Sequence, residues 1–421
     1  MLIEFSVKNF RSFWKTQSLK MTASPSSDMM VQNTFVTSVK GLPRLLRSSV
    51  LYGPNAAGKS NLFRALHFMQ EFVQNSAKEK QAGESIPLQP FLLNQDGPSS
   101  PSEFEAIFLQ DDIRYQYGFT ANTERVTHEW LFAYPQGKSQ RWFERSYNPE
   151  TRQEEWYFGS KFTGKKKVWQ EATRPNALFL SAAIQLNNEQ LKPVFFWFKH
   201  LAVIRHGDIL DPGFSIKQCQ DDENRQRIVD FMNAADLSIV DIELESRDFA
   251  AEELPSDMPL ELKERIRKDL HGKKILRISF KHKTADGNFV SLPLEEESDG
   301  TRKLFAYAAP WLDALQNGRT FLVDELDNSL HPYMVRFLLQ LINNSDTNKK
   351  NGQLIFSTHD TSILDQKLLR RDQIWFIEKD KFSSSRLYPL SDFSPRKGEA
   401  LEKGYLQGRY GALPYIGEIH F

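Results

Sequence analysis

Cysteine is almost absent: Cys219 is the single one in 421 residues, so no intramolecular disulfide can form and no cysteine-rich metal centre can be assembled. Net charge is absent as well, with 54 lysines and arginines set against 54 aspartates and glutamates. Any surface for a polyanion must therefore be local. Nor is there a long hydrophobic run. The most apolar stretches, "VFFWF" and "FAYAAPWLDAL", fall well short of the ~20 residues that cross a bilayer as a helix. The opening "MLIEFSVKNF" lacks the basic-then-apolar plan of a secretory signal. Membrane-spanning and secreted readings drop out, and a cytoplasmic protein is expected. What remains is an ordinary globular composition, 40% hydrophobic, 26% charged and 12% aromatic. Its length holds two or three domains, or one composite domain with insertions.

Residues 2 to 8 alternate in polarity as a half-buried strand does, and "KNFRSF" turns the chain. The Ser/Pro/Met-rich stretch from about 20 to 44 reads as loop. "SSVLY" is a short apolar strand, and after a glycine-rich loop Leu62, Ala65, Leu66, Met69 and Phe72 recur at the three-and-four spacing of an amphipathic helix. Between 103 and 158 the runs "EFEAIFL", "IRYQYGFT", "THEWLFAY" and "QRWFERSY" alternate with turns, the pattern of an antiparallel meander.

Helical patterns dominate from about 176 to 236, and "LSIVDIELE" is a strand beyond them. Residues 251 to 272, charged and carrying Pro255 and Pro259, read as a surface insertion with one short helix. After Gly272 apolar strands interleave with helices: "KILRISFKH", "NFVSLPLE", a helix from 301, "RTFLVDE", a helix from 332, "QLIFSTHD" and "QIWFIEKD". That interleaving predicts a parallel α/β sheet. The expected divisions are residues 1–175 as a first lobe with the meander, 176–285 as a helical and β insertion, and 286–421 as a second lobe.

The loop between "SSVLY" and the helix carries the chemistry. Gly53, Pro54, Asn55, Ala56, Ala57, Gly58, Lys59 and Ser60 fit G-x-x-x-x-G-K-[ST], with Asn61 following. Glycines let the backbone curl until successive N–H groups point inward at phosphate oxygens, and the helix behind adds the positive end of its dipole. Lys59 would neutralise the β- and γ-phosphates of ATP, and the Ser60 hydroxyl would ligate Mg²⁺. A glycine turn before a surface helix is the bland alternative; the strand-loop-helix order favours the nucleotide.

The chemistry also demands a carboxylate for the metal at the end of a buried strand. "TFLVDELD" supplies Asp324 there, and Glu325 follows, placed to orient an attacking water. "LIFSTHD" delivers His359 at the carboxyl end of another apolar strand, where open α/β sheets gather their ligand groups.

These segments resemble the ABC-type ATPase heads of the SMC/RecF/OLD group. "GPNAAGKSN" is similar to that group's Walker A form, and "LIEFSVKNFRSF" to its opening strand and N-F-R-S turn. The resemblance implies a P-loop NTPase of the ABC-ATPase head type: a mixed, mainly parallel sheet with a flanking antiparallel meander and a helical insertion. It implies that Arg11 lies near the nucleotide phosphates, that Asp327 in "LDNSLHP" belongs to a D-loop crossing a dimer, and that His359 senses the γ-phosphate. "ESDGTRK" stands where the signature motif is expected, with Ser298 and Gly300 matching and Asp299 in place of a glycine. For the Q-loop Gln89 and Gln95 both qualify, and neither is assigned.

More narrowly, "LVDELDNSLHP", "FSTHDTSILD" and the C-terminal "GRYGALPYIGEI" resemble the RloA-like AAA ATPases. Relatives of these occur in bacterial anti-phage and abortive-infection systems, including the ATPase subunit of the PARIS system.

By this resemblance two heads sandwich two ATP molecules, Ser298 of one completing the γ-phosphate site of the other, in a homodimer or higher homo-oligomer. No heptad run joins the two motif halves, so long coiled-coil arms are not expected. About sixty residues follow His359, too few for an appended nuclease domain. The expected role is therefore an ATPase that senses a trigger, such as a phage protein, and controls a separate effector, a nuclease above all. The alternative is a RecF-like repair ATPase whose ATP-bound dimer grips duplex DNA, supported by the basic run "KERIRKDLHGKKILRISFKHK". A third class, an interaction module that binds nucleotide without hydrolysing it, requires Glu325 to be inert. "GKKK" at 164 to 167 is read as a solvated turn. Tyr405, Arg409, Tyr410 and Tyr415 are read as sealing the last strand.

Overall fold

The apolar runs form strands where the alternation and β-branched content placed them, and two separate sheets collect them in one part of the chain. The structure, a computed structural model, describes residues 1–79, 81–205, 211–235, 237–248, 258–270 and 274–414. The described residues fall into two compact units, one from 1–208, 313–328 and 335–421, the other from 209–312 and 329–334.

In the first unit, six strands make a mixed sheet in the order Ala202–Ile204, Thr320–Val323, Gln353–Ser357, Ser48–Tyr52, Ile374–Lys379, Ser385–Pro389. Every pairing is parallel except the last, where Ile374–Lys379 meets Ser385–Pro389 antiparallel. Ser48–Tyr52, Thr320–Val323 and Gln353–Ser357 are buried along their whole length, as expected for parallel strands covered on both faces. The fold class is thus α/β with a mixed, mainly parallel sheet.

The meander is the second sheet of this unit. Its strands Ser102–Gln110, Ile113–Ala121, Val126–Tyr134, Gln140–Asn148 and Gln153–Phe158 follow one another antiparallel, and Leu2–Lys8 and Gln17–Lys20 extend it beyond Ser102–Gln110. One face is aromatic and buried: Phe104 and Phe119 meet Phe68 and Phe72 of the helix Lys59–Asn75, Tyr117 meets Phe198 and Phe143 meets Phe179. Helices Phe179–Gln185 and Lys192–Lys199 join this unit and not the insertion expected from 176. The Trp197 ring stacks on Phe108 with centroids 4.1 Å apart, and Gln70 of Lys59–Asn75 donates to the carbonyls of Phe198 and Leu201. Buried Glu129 accepts from Arg145 Nε at 3.0 Å and from the backbone N–H groups of Phe179 and Leu180, which pins the first helix to the meander.

The second unit carries a three-stranded antiparallel sheet, Ile239–Asp248, Lys274–Lys283 and Phe289–Pro293. Two of these strands had been expected in the parallel sheet. Period-two alternation identifies a strand but says nothing of its partner, and here a turn after Lys283 folds the chain back on itself. Helices Gly213–Gln218, Asp222–Ala234 and Leu260–Leu270 belong to the same unit. The one short helix expected between 251 and 272 is Leu260–Leu270; Pro255, Gly272 and Tyr415 lie outside the described residues. Near the C-terminus Tyr405 and Tyr410 stack on Phe376, with centroids 5.4 and 5.9 Å away, and cover Ile374–Lys379 as a seal. Among the described residues no helix is long and apolar enough to cross a membrane.

Candidate functional site

The sheet order decides what meets at its edge. Ser48–Tyr52 and Thr320–Val323 each pair with Gln353–Ser357, one on either side. All three run parallel, so the residues that follow them emerge at one edge: Gly53 to Ser60, then Asp324 with Glu325, then His359. A crevice at the carboxyl ends of parallel strands is where such sheets bind ligands.

The phosphate loop spans Gly53 to Gly58, and the helix starts at Lys59. Its two glycines are fixed by close neighbours. A Cβ at Gly53 would lie 2.2 Å from the Ile377 carbonyl oxygen, and one at Gly58, where φ is +117°, would lie 2.3 Å from Ser385 Oγ and 2.7 Å from Ser12 Oγ. Ala56 between them has φ +61°. Positive φ at Ala56 and Gly58 curls the backbone of this loop, as a loop that wraps an anion requires. Pro54, Asn55, Ala56, Ala57, Gly58, Lys59, Ser60 and Asn61 line a cavity of about 150 Å³ together with Arg64 and Glu325.

Lys59 is buried, and its Nζ donates to the carbonyls of Gly53 at 2.8 Å and Pro54 at 3.3 Å. Burial pulls its ammonium below the ordinary lysine range, while Asp324, Glu325 and Asp327 act in the other direction. The motif lysine and the acidic residues of "DELD", 265 positions apart for Asp324, thus share one electrostatic neighbourhood.

Asp324 is buried, and Ser357 donates to its Oδ1 at 2.6 Å. The same hydroxyl oxygen accepts from Glu325 N at 2.8 Å. Glu325 has φ +55°, a conformation that costs a non-glycine residue of order 1 kcal/mol or more. Its Oε1 lies 4.0 Å from His359 Nε2. His359 N donates to Asp327 Oδ2 at 3.1 Å, and Asp327 Oδ1 is buried without a hydrogen-bond partner. The acidic pair, the histidine and the Asp327 carboxylate therefore form one cluster facing the loop.

Three serines to which the sequence assigns no role complete the frame. Ser12, in the N-F-R-S turn, accepts from Asn61 Nδ2 at 2.8 Å, and its carbonyl accepts from Ser385 N at 2.7 Å. Ser385 Oγ donates to the Ala57 carbonyl. Ser357, within "LIFSTHD", is the third. Arg11 has φ +51° and donates its backbone N–H to the Gln89 carbonyl at 2.8 Å, which brings the exposed Gln89 segment beside the turn.

Ser298 and Gly300 belong to the second unit. Exposed Ser298 caps the helix Asp299–Asn317: its Oγ accepts from Thr301 N at 3.2 Å and shares a hydrogen bond with Thr301 Oγ1 at 2.9 Å. Gly300 has room for a side chain only at 3.3 Å from the Ser329 carbonyl oxygen.

The donor set suits a nucleotide with Mg²⁺ and not a free-standing metal. Among the described residues no group of three His, Cys, Asp or Glu side chains could hold an ion. Asp324 and the Ser60 hydroxyl offer two oxygens, and Mg²⁺ characteristically takes one or two protein ligands and fills its octahedron with phosphate oxygens and water.

A family model described as "AAA domain, putative AbiEii toxin, Type IV TA system" matches residues 48–365, well over half of the chain. No curated protein matches. Similar solved structures include the SMC head bound to the C-winged helix domain of ScpA, 13% identical, covering 92% of this chain and 97% of that one at a TM-score of 0.43. The SMC head domain from Thermotoga maritima is 15% identical, with coverages of 92% and 98% and a TM-score of 0.40. The recombination mediator protein RecF with ATP is 15% identical, with coverages of 85% and 93% and a TM-score of 0.32.

Proposed function

The chain belongs to the AAA-domain family whose model it matches over residues 48–365, and from that membership we propose that it binds ATP with Mg²⁺ and hydrolyses it as an ABC-type ATPase. The observation that carries this reading is the convergence of Lys59, Asp324, Glu325 and His359 at one sheet edge, with Lys59 under the combined influence of Asp324, Glu325 and Asp327. Loop N–H groups and Lys59 would hold the phosphates. Asp324 and Ser60 would hold the metal, which when bound neutralises charge developing on the phosphate oxygens. Glu325, beside His359, would orient the attacking water and accept its proton.

Ser298 and Gly300 are proposed to act on a second copy of the chain. An exposed hydroxyl at the head of a long helix suits the γ-phosphate of a partner's ATP, since the helix dipole adds to it, and Asp327 would lie at that junction. ATP then joins two heads and hydrolysis loosens them. By the resemblance to RloA-like ATPases, this cycle controls a separate effector, a nuclease, in anti-phage defence within the cytoplasm.

The test combines nucleotide binding, phosphate release and light scattering. Lys59→Ala should abolish binding. Glu325→Gln should bind ATP, release no phosphate and accumulate as an ATP-dependent assembly. Equal assembly of Glu325→Gln with and without ATP would count against paired heads, and unimpaired phosphate release would remove Glu325 from its role.

A second reading, duplex DNA held by the ATP-bound dimer, draws on exposed Arg265, Arg267 and Lys268 of the helix Leu260–Leu270. Glu261 and Glu264 on the same helix dilute that charge. Salt-dependent binding of plain duplex DNA in the presence of ATP would favour it.

A further inference from the structure

Positive charge gathers beside the phosphate loop beyond what Lys59 supplies. Arg64, on the helix Lys59–Asn75, lines the same cavity as the loop, and its Nη1 donates to Asn61 Oδ1 at 3.2 Å. Asn61 donates in turn to Ser12 Oγ. One amide side chain thereby ties the helix that carries Arg64 to the turn that carries Arg11. The two guanidinium groups feel each other: burial first, then Arg64 and Arg205, hold Arg11 below the usual arginine range. Arg11 Nε is buried without a hydrogen-bond partner among the described residues. Among the described residues neither Arg11 nor Arg64 forms an ion pair with a carboxylate.

Like charges held together without a counterion are unfavourable, and the more so the less water reaches them. A guanidinium also presents a planar fork of donors that matches phosphate oxygens. We propose that Arg64, acting with Arg11, binds the α-phosphate of the nucleotide, an inference that rests on the nucleotide reading of the loop. The carboxylates that act on Lys59 are Asp324, Glu325 and Asp327, and they mark the γ-phosphate end, where a phosphate-loop lysine reaches the β- and γ-phosphates. Arg64 is absent from that set. Its hydrogen bond goes to Asn61, one residue past Ser60, and its charge acts on Arg11, so the pair serves the phosphate that ATP and ADP share.

Calorimetric titration of the full chain with ATP and with ADP tests this, using wild type, Lys59→Ala, Arg64→Gln and Arg64→Lys. Arg64→Gln should weaken both nucleotides by the same factor, about tenfold or more, the effect of one charge-assisted hydrogen bond. Arg64→Lys should recover part of the loss, and it carries the comparison if the glutamine variant does not fold. Unchanged affinity for both nucleotides overturns the proposal. So does a loss confined to ATP, which would put Arg64 at the γ-phosphate, and so does intact nucleotide affinity with ATP-dependent pairing lost, which would give Arg64 to an acidic group of a partner. Failure of the wild type to bind either nucleotide is a different result: it rejects the loop as a nucleotide site and leaves Arg64 without a ligand.

Discussion

Ser357 donates its hydroxyl hydrogen to Asp324 Oδ1 at 2.6 Å and accepts the Glu325 N–H on the same oxygen at 2.8 Å. One fully buried side chain at the end of the central strand therefore sets both acidic residues of the site. A hydrogen-bonded carboxylate keeps one rotamer and presents its other oxygen, the proposed Mg²⁺ ligand, in a fixed direction.

Ser357→Ala removes that donor and leaves the fold's apolar packing intact. ATP hydrolysis should fall about 10- to 100-fold, the usual cost of losing a partner that orients a metal ligand. The Mg²⁺ concentration for half-maximal activity should rise while nucleotide binding without Mg²⁺ stays the same. Phosphate release measured against Mg²⁺ checks this; an unaltered Mg²⁺ dependence would remove Ser357 from the metal's support.

Gly58 is a loop position with no room for a side chain. An added methyl group meets both Ser385 Oγ and Ser12 Oγ at under 3 Å, on a backbone with φ +117°. Gly58→Ala should cost on the order of 1–3 kcal/mol through strain and displaced neighbours and should abolish ATP binding. Thermal melting with and without ATP reads both effects. At Gly83, φ +86° with nothing within 4 Å of the added atom, alanine should cost less and leave ATP binding untouched.

Lys59 should make the proposed nucleotide binding pH-dependent. Burial lowers its ammonium below the ordinary lysine range against the pull of Asp324, Glu325 and Asp327. Phosphate oxygens at the same nitrogen raise it again. Between the lowered value of the free protein and the higher one of the complex, binding takes up a proton, so affinity must fall as pH rises through that alkaline window. Titrations in two buffers of different ionisation enthalpy count the proton, and Lys59→Gln should remove the uptake along with most of the affinity.

The site was legible to very different degrees. Gly53 to Ser60 and Asp324 with Glu325 could be found because each is a short segment whose spacing states its own chemistry: two glycines for a curled backbone, an apolar strand that ends in carboxylates. Ser12, Ser357 and Ser385 could not. A serine at the end of a strand or in a turn is common, and its role here comes from a neighbour well beyond its own segment: Ser357 meets Asp324, 33 positions away, across a strand pair, and Ser385 meets Ala57, 328 positions away, and Gly58 across the loop. Arg64 occupies a helix position where the sequence pattern asks only for a polar residue.

The strands behaved likewise. Their positions were readable from alternation and apolar runs, the meander from 102 to 158 above all. Their partners were not, as Lys274–Lys283 and Phe289–Pro293 show by pairing in an antiparallel sheet of the second unit.

The sequence by itself determined the local chemistry: a loop able to wrap phosphate, a carboxylate pair at a strand's end, an even charge balance, and no helix-length apolar run. These follow from residue types within a few positions of one another, which the backbone's own stereochemistry fixes. Only the tertiary structure decided that Gln353–Ser357 lies between the other two strands, so that His359, Asp324 and Lys59 share one edge, and that Asn61 joins Arg64 to the turn that carries Arg11. Strand order and side-chain convergence depend on which distant surfaces bury one another, and no local stretch of chain contains that information.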